Sequence, residues 1–145
     1  MTKFQSNLLR KGRSSQIGRP YLVTFSTAGR VNYFSDYRLA SIACRQLYLA
    51  HQWGHVQNWC YVVMPDHVHW LFSLGEGQLS RVVGTVKSGI SHHAGEKLWQ
   101  GGFHDHALRQ QEALLPVARY VVANPLREGL VKSVREYPFW DATWL

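Results

Sequence analysis

Two histidines on alternate positions near the middle of the chain are the side chains best suited to hold a metal ion. They are His67 and His69 in the stretch MPDHVHW, which lies between two hydrophobic runs. On a β-strand, residues i and i+2 point to the same face, so both imidazoles can reach one ion while Val68 points the other way. A pair of hydrogen-bonded core histidines would give the same pattern, so other residues must decide between the two interpretations.

A tyrosine and an asparagine in the later stretch RYVVANPLR would add a nucleophile and a further ligand. Tyr120 and Asn124 are four residues apart, a spacing that puts both on one face of a helix. A phenolic hydroxyl can form covalent intermediates, and an amide oxygen can bind a metal ion. The alternatives are a half-buried helix tyrosine and a helix C-cap ahead of Pro125. The combination with the two histidines favours a reactive site.

Two further groups near these motifs allow more than one interpretation. His104 and His106 flank Asp105 and form a second alternating pair. A metal site is one explanation, but the charged middle residue means that neither face of this run is typical of a core. Asp66 follows Pro65, and the chemistry of a tight turn accounts for it. A role as a general base or close to a metal is the alternative.

The charge of the chain points to a polyanionic partner. The formal net charge is +7, and the sequence pI is about 9.7. Six basic residues precede the first acid, Asp36: Lys3, Arg10, Lys11, Arg13, Arg19 and Arg30. A basic arm of this kind typically binds nucleic acid, and a well-solvated tail is the alternative. The predicted phosphate contacts are Arg10, Lys11, Arg13 and Arg19 in the arm, with Lys87 and Arg127 nearer the core.

The elements that must position these residues follow from the hydrophobic spacing. Alternating and β-branched runs predict strands at residues 19–29, 55–64, 67–75 and 102–109. Helical spacing predicts helices at 35–54, 78–95 and 112–130, with Pro125 ending or kinking the last. The order β-α-β-β-α-β followed by a helix predicts an α+β fold, ferredoxin-like or RRM-like, with an antiparallel sheet.

Length and composition predict one domain over residues 1–145, with a basic arm at 1–18 and an irregular aromatic tail at 132–145. Cys44 and Cys60 lie in apolar runs and are expected in the core. The sequence has neither the apolar run of a signal peptide nor that of a membrane span. The expected location is therefore the cytoplasm, in association with the nucleoid.

The motifs together resemble a known family. The histidine pair is similar to the HUH motif, and YVVANPLREGLV resembles the tyrosine segment of the REP-associated tyrosine transposases. These are single-tyrosine HUH transposases related to those of bacterial insertion sequences. Further landmarks are the Gly29-Arg30 pair, VVMPDHVHWL and LWQGGFHDHALR. The resemblance extends from about Arg19 to Val131.

The resemblance implies cleavage and joining of single-stranded DNA near repetitive extragenic palindromes, which fold as hairpins. It implies that Tyr120 is the nucleophile, that a 5′-phosphotyrosine forms, and that His67 and His69 bind a divalent ion, Mg²⁺ or Mn²⁺. Asn124 matches the position where the wider family often has glutamine as a third metal ligand. Both a monomer and a homodimer are compatible with the resemblance, and no membrane partner is expected.

Two other functions remain open at this point. One is a noncatalytic RRM-like module that binds single-stranded nucleic acid, although that fold uses exposed aromatic residues where this strand has histidines. The other is a metal-dependent nuclease that uses water, with Tyr120 in a structural role. A covalent protein–DNA adduct would distinguish the transposase from both.

Overall fold

A five-stranded antiparallel sheet forms the centre of the protein. The computed structural model describes residues 15–109 and 113–143. The strands are β1 (Pro20–Ser26), β2 (Val56–Met64), β3 (His67–Leu74), β4 (His104–Ala107) and β5 (Trp140–Ala142). Their spatial order is β4-β1-β3-β2-β5, and every neighbouring pair is antiparallel. The first four strands therefore confirm the predicted ferredoxin-like arrangement.

Within the described residues, four α-helices accompany the sheet: α1 (Tyr37–Gln52), α2 (Leu79–Ala94), α3 (Leu114–Val122) and the single turn α4 (Asn124–Arg127). The Asp36 carboxylate caps α1 by accepting hydrogen bonds from the backbone N–H groups of Arg38 and Leu39. Gly95 ends α2 in the left-handed conformation, with φ of 78°. The predicted order β-α-β-β-α-β, followed by a helix, is confirmed.

The two faces of the sheet carry different helices, because β3 alternates between two cores. Val68, Trp70 and Phe72 are buried on the face that α1 and α2 cover. Leu71 is buried on the other face with residues of α3, among them Val121. His67 and His69 share the alternation of Leu71, so they point to the α3 face. The fold thus brings the histidine strand and the tyrosine helix to the same side.

The last helix is interrupted where Pro125 was expected to disturb it. The helix predicted over residues 112–130 divides at Ala123 into α3 and α4. Pro125 has no N–H to donate to the carbonyl of Val121, four residues earlier. The side-chain Nδ2 of Asn124 donates to that carbonyl instead, at 3.0 Å. The helix that was predicted to carry both Tyr120 and Asn124 is therefore divided between them.

The C-terminal segment differs from the irregular tail expected at 132–145. Residues Trp140–Ala142 form β5 and pair with β2 at the edge of the sheet. Tyr137 is buried, and its hydroxyl donates to the carbonyl of Val63. Aromatic residues in this segment therefore complete the core on the α3 face. No helix in the described part of the chain is long and apolar enough to cross a membrane.

Two glycines give opposite predictions for stability. An added Cβ at Gly75 would lie 2.5 Å from the carbonyl oxygen of Gly54 and 2.9 Å from that of His55, both rigid backbone atoms. Gly75→Ala should lower the free energy of unfolding by about 1–3 kcal/mol. Gly84 lies on the exposed side of α2 with nothing within 4 Å of an added Cβ. Gly84→Ala should raise stability by about 0.5–1 kcal/mol. Chemical denaturation of both variants measures the change in the free energy of unfolding. Changes of the same sign in the two variants would contradict the prediction.

Candidate active site

The two histidines of β3 face each other on the α3 side of the sheet. Nε2 of His67 lies 3.0 Å from Nε2 of His69, and the rings are perpendicular with centroids 4.7 Å apart. Both side chains are half-buried. The sequence spacing predicted this shared face, and the structure has it.

Nδ1 of each imidazole has a hydrogen-bond partner on a neighbouring side chain. Nδ1 of His67 donates to the Asp66 carboxylate at 2.7 Å, and Nδ1 of His69 lies 3.1 Å from the hydroxyl of Thr24 on β1. A carboxylate can only accept, so Nδ1 of His67 carries the proton and its Nε2 keeps a lone pair. The Thr24 hydroxyl can donate or accept and therefore suits either tautomer of His69. The two Nε2 atoms face each other at hydrogen-bond distance, with the lone pair of His67 directed at His69.

The electrostatics of the site keep His69 neutral. Burial lowers the pKa of His69 to about 4, and the neighbouring His67, Arg127 and Arg30 act in the same direction, because they disfavour an additional positive charge on His69. For Asp66, burial alone would raise the pKa, but hydrogen bonds from His67 and Arg30 and their charges outweigh it and lower the pKa below its usual value. At neutral pH His69 therefore carries a lone pair on one ring nitrogen, and its contacts with Thr24 and with Nε2 of His67 decide which nitrogen that is.

The geometry of the pair fits a divalent cation. Two ligands about 2.1 Å from an octahedral ion and at right angles to each other are about 3.0 Å apart, which matches the separation of the two Nε2 atoms. Within residues 15–109 and 113–143, no group of three or more His, Cys, Asp and Glu side chains could hold a metal. An ion on the two histidines would therefore keep positions open for an amide, water or a phosphate oxygen.

Tyr120 is exposed on α3 and lies under an arginine. Its side chain is 63% exposed, so its hydroxyl is accessible to a large substrate. The guanidinium carbon of Arg127 lies 3.5 Å from the centre of the tyrosine ring. The positive charge of Arg127 also contributes to the lowered pKa of His69. Arg127 thus stacks on the tyrosine ring and acts on His69 through its charge.

Asn124 is buried, and both ends of its amide have partners. Nδ2 donates to the carbonyl of Val121, and Oδ1 accepts a hydrogen bond of 2.7 Å from Nη2 of Arg127. These contacts match the helix-cap alternative more closely than the metal-ligand one. An amide oxygen has a second lone pair, so the ligand role of Asn124 stays a prediction.

The predicted DNA contacts are dispersed. Arg10, Lys11 and Arg13 lie outside the described residues. Arg19 donates to the carbonyl of Leu108 and to Gln16, and Lys87 donates to the carbonyls of Gln100 and Gly102. Lys87 also lies near Phe25, on the face opposite the histidines. Of the predicted contacts that the structure describes, Arg127 is the one beside Tyr120.

The structure adds residues that the sequence motifs did not assign. Thr24 supports His69, and Arg30 donates to Asp66 at 2.8 Å. His104 pairs with Thr24 across β4 and β1, so the second histidine pair shares the face of the first. The Gly29-Arg30 pair was the signal for Arg30. Thr24 had none beyond its alternation in β1.

The fold is the ferredoxin-like antiparallel arrangement that the sequence predicted. Comparisons with known proteins confirm the resemblance to the REP-associated tyrosine transposases. The chain is 34% identical over 82 residues to the REP-associated tyrosine transposase of Escherichia coli (strain K12), covering 54% of this chain and 50% of that protein. A Haemophilus influenzae protein that bears the same name provisionally is 23% identical over 94 residues, or 53% of each chain.

A solved structure confirms the fold. A REP-associated tyrosine transposase bound to a REP hairpin superimposes with a TM-score of 0.73 at 24% sequence identity, covering 88% of this chain and 79% of that one. No protein-family model matches the chain. The chain spans about half the length of the curated relatives it matches.

Proposed function

We propose that this protein cleaves and rejoins single-stranded DNA at hairpin-forming repeats, through a covalent bond between Tyr120 and a 5′-phosphate. The observation that carries the proposal is the placement of Tyr120 and Arg127 on the same side of the sheet as the His67–His69 pair. The solved relative is bound to a REP hairpin, which supports the same class of DNA partner here. Single-stranded REP-type hairpins are therefore the proposed substrate.

The proposed reaction exchanges one phosphodiester for another. The Tyr120 oxygen attacks the phosphorus and its proton passes to water, while the bond to the 3′ oxygen breaks and that oxygen takes a proton. A second 3′-hydroxyl then attacks the phosphotyrosine and releases Tyr120. The covalent intermediate retains the energy of the phosphodiester, so rejoining needs no ATP. A water-using nuclease would lose that energy.

The site residues would have distinct roles in this reaction. His67 and His69 would hold Mg²⁺ or Mn²⁺, and a divalent cation there would polarise a phosphate oxygen and orient the scissile bond. Arg127 places a positive charge beside the Tyr120 ring. That charge favours the developing phenolate and attracts the phosphate. Asn124 supports Arg127 through Oδ1.

The decisive test is a search for the adduct. Labelled palindromic single strands are incubated with the protein and Mg²⁺ or Mn²⁺, then separated on a denaturing gel. The transposase proposal predicts a labelled band at the mass of protein plus DNA. Cutting without that band would support the water-using nuclease, and hairpin binding without cutting would support the noncatalytic module.

Arg127 should affect cleavage more than binding. Arg127→Ala removes the charge beside Tyr120 and the partner of Asn124, so we expect the single-turnover cleavage rate to fall by about 10²-fold. Arg127→Lys keeps the charge but loses the planar stacking, and should be intermediate. Arg119→Ala removes an equal charge from α3 and serves as the control. Equal rates for the Arg127 and Arg119 variants would contradict the role of Arg127.

The basic arm should contribute to affinity. Deleting residues 1–14 removes Lys3, Arg10, Lys11 and Arg13 but keeps Ser15, whose hydroxyl accepts from the N–H of Leu79. We expect weaker hairpin binding and a slope of log Kd against log salt smaller by up to about 3. A full-length variant with these four residues changed to Gln is the control for length. An unchanged salt slope in both proteins would remove the arm from the DNA surface.

A further inference from the structure

The Gly29-Arg30 pair adopts a conformation that is unusual for arginine. It lies between β1 and α1, and both residues have positive φ, 64° for Gly29 and 55° for Arg30. Within the described residues, Arg30 is the one non-glycine residue with positive φ. A left-handed conformation is disfavoured for a residue with a side chain and persists where surrounding contacts impose it. The contacts of Arg30 therefore indicate what the conformation serves.

Those contacts lead to Asp66, beside the histidine pair. Nε of Arg30 donates to Oδ2 of Asp66 at 2.8 Å, and Nη1 donates to Ser26 at 3.3 Å. Oδ1 of Asp66 accepts a hydrogen bond from Nδ1–H of His67, with a distance of 2.7 Å between the two heavy atoms. The two carboxylate oxygens thus hold different partners, and rotation of the carboxylate would break both bonds. Arg30 fixes the carboxylate, and the carboxylate fixes the imidazole.

The turn that carries Asp66 is itself fixed to β1. The backbone carbonyl of Asp66 accepts hydrogen bonds from both the N–H and the hydroxyl of Thr27, at 3.0 and 3.1 Å. The Thr27 hydroxyl shares its one proton between this carbonyl and the closer carbonyl of Val31, at 2.7 Å. Thr27 is fully buried. The position of Asp66 therefore depends on three segments: the end of β1, the Arg30 turn, and the turn between β2 and β3.

We propose that Arg30 and Asp66 are positioning residues that hold His67 as the Nδ1-protonated tautomer, with Nε2 presented towards Nε2 of His69. This inference rests on the proposed function in one respect, that the presented Nε2 binds a divalent ion. A carboxylate behind a metal-binding histidine fixes the ring and makes its free nitrogen a better ligand. Thr24 gives His69 the corresponding support from β1.

If the Arg30–Asp66 ion pair served only stability, its loss would be seen mainly in the unfolding temperature. The side chain of Arg30 is 58% exposed, and an exposed pair contributes little to stability. Arg30→Gln should therefore shift the thermal midpoint by no more than about 4 °C. Its effect should instead be seen at His67, because the carboxylate loses one of the two partners that orient it.

The experiment combines two readouts on the full chain. Nitrogen-15 NMR of the imidazoles, recorded without metal, reports which nitrogen of His67 is protonated. Calorimetric titration with Mn²⁺ reports affinity. Asp66→Ala should shift His67 away from the Nδ1-protonated form and weaken Mn²⁺ binding by about 10–100-fold. Asp66→Asn keeps an accepting oxygen and should be intermediate. Arg30→Gln should weaken Mn²⁺ binding several-fold.

A matched control is available elsewhere in the chain. Glu76 contacts Nδ1 of His55 at an exposed site formed by other loops, so Glu76→Ala removes a carboxylate–histidine contact without touching His67. It should change neither readout. If Asp66→Ala keeps both the tautomer and the affinity of the wild type, the positioning proposal is overturned. If the wild type binds no Mn²⁺ while the tautomer still shifts, the positioning role stands and the metal part of the proposed function fails.

Discussion

Replacing Tyr120 with phenylalanine is expected to abolish the covalent DNA adduct and to lower strand cleavage by on the order of 10⁴-fold or more. The change removes one oxygen atom, which is the proposed nucleophile. The aromatic ring stays, so its stacking with Arg127 is retained. Because the side chain is 63% exposed, little stability should be lost. Hairpin affinity should therefore remain close to that of the wild type.

The measurement is a denaturing gel for the adduct, a single-turnover cleavage rate and a hairpin titration on the same preparation. Tyr48→Phe is the matched control, because Tyr48 is also an exposed helix tyrosine, 46% accessible, but lies on α1 across the sheet. It should cleave at the wild-type rate. Cleavage by the Tyr120→Phe protein at an undiminished rate would mean that water or another side chain is the nucleophile.

The order of the elements could be predicted because each long element has a clear period. The alternation of β3 and the apolar stripe of α2 (Leu79, Val82, Val83, Val86 and Ile90) are visible in the sequence, and all five stripe residues are buried. β5 could not be predicted in this way, because it has three residues and its pairing depends on β2, about 80 positions earlier. The division of the last helix was predictable from Pro125, although its effect on Asn124 was not.

In the candidate site too, features set by neighbouring residues could be predicted, whereas contacts between residues far apart in the sequence could not. The shared face of His67 and His69 follows from a spacing of two on a strand. The contact between Arg30 and Asp66 joins residues 36 positions apart through two turns, and no periodicity encodes it. Similarly, Lys87 was a reasonable phosphate contact by charge, but its partners are backbone carbonyls. Only the folded arrangement distinguishes a cation that supports a loop from one beside the tyrosine.

Removing both imidazoles is expected to have the next largest effect. The His67→Ala/His69→Ala protein should lose metal-dependent cleavage by about 10³-fold or more, because a bound cation contributes several kcal/mol of transition-state stabilisation. The two Nε2 atoms 3.0 Å apart are the proposed protein nitrogen ligands. A single variant keeps one of them, so high Mn²⁺ should restore part of its activity. The double variant should not recover.

The double variant is best compared with His92→Ala/His93→Ala, which removes two histidines from the end of α2, on the opposite face of the sheet. Mn²⁺ titration and cleavage assays on both proteins separate the loss of a site from the loss of histidine in general. A hairpin titration without metal should give similar affinities for both, because the basic residues are unchanged. Full Mn²⁺-dependent cleavage by the His67→Ala/His69→Ala protein would mean that the pair is a core feature and that any metal binds elsewhere.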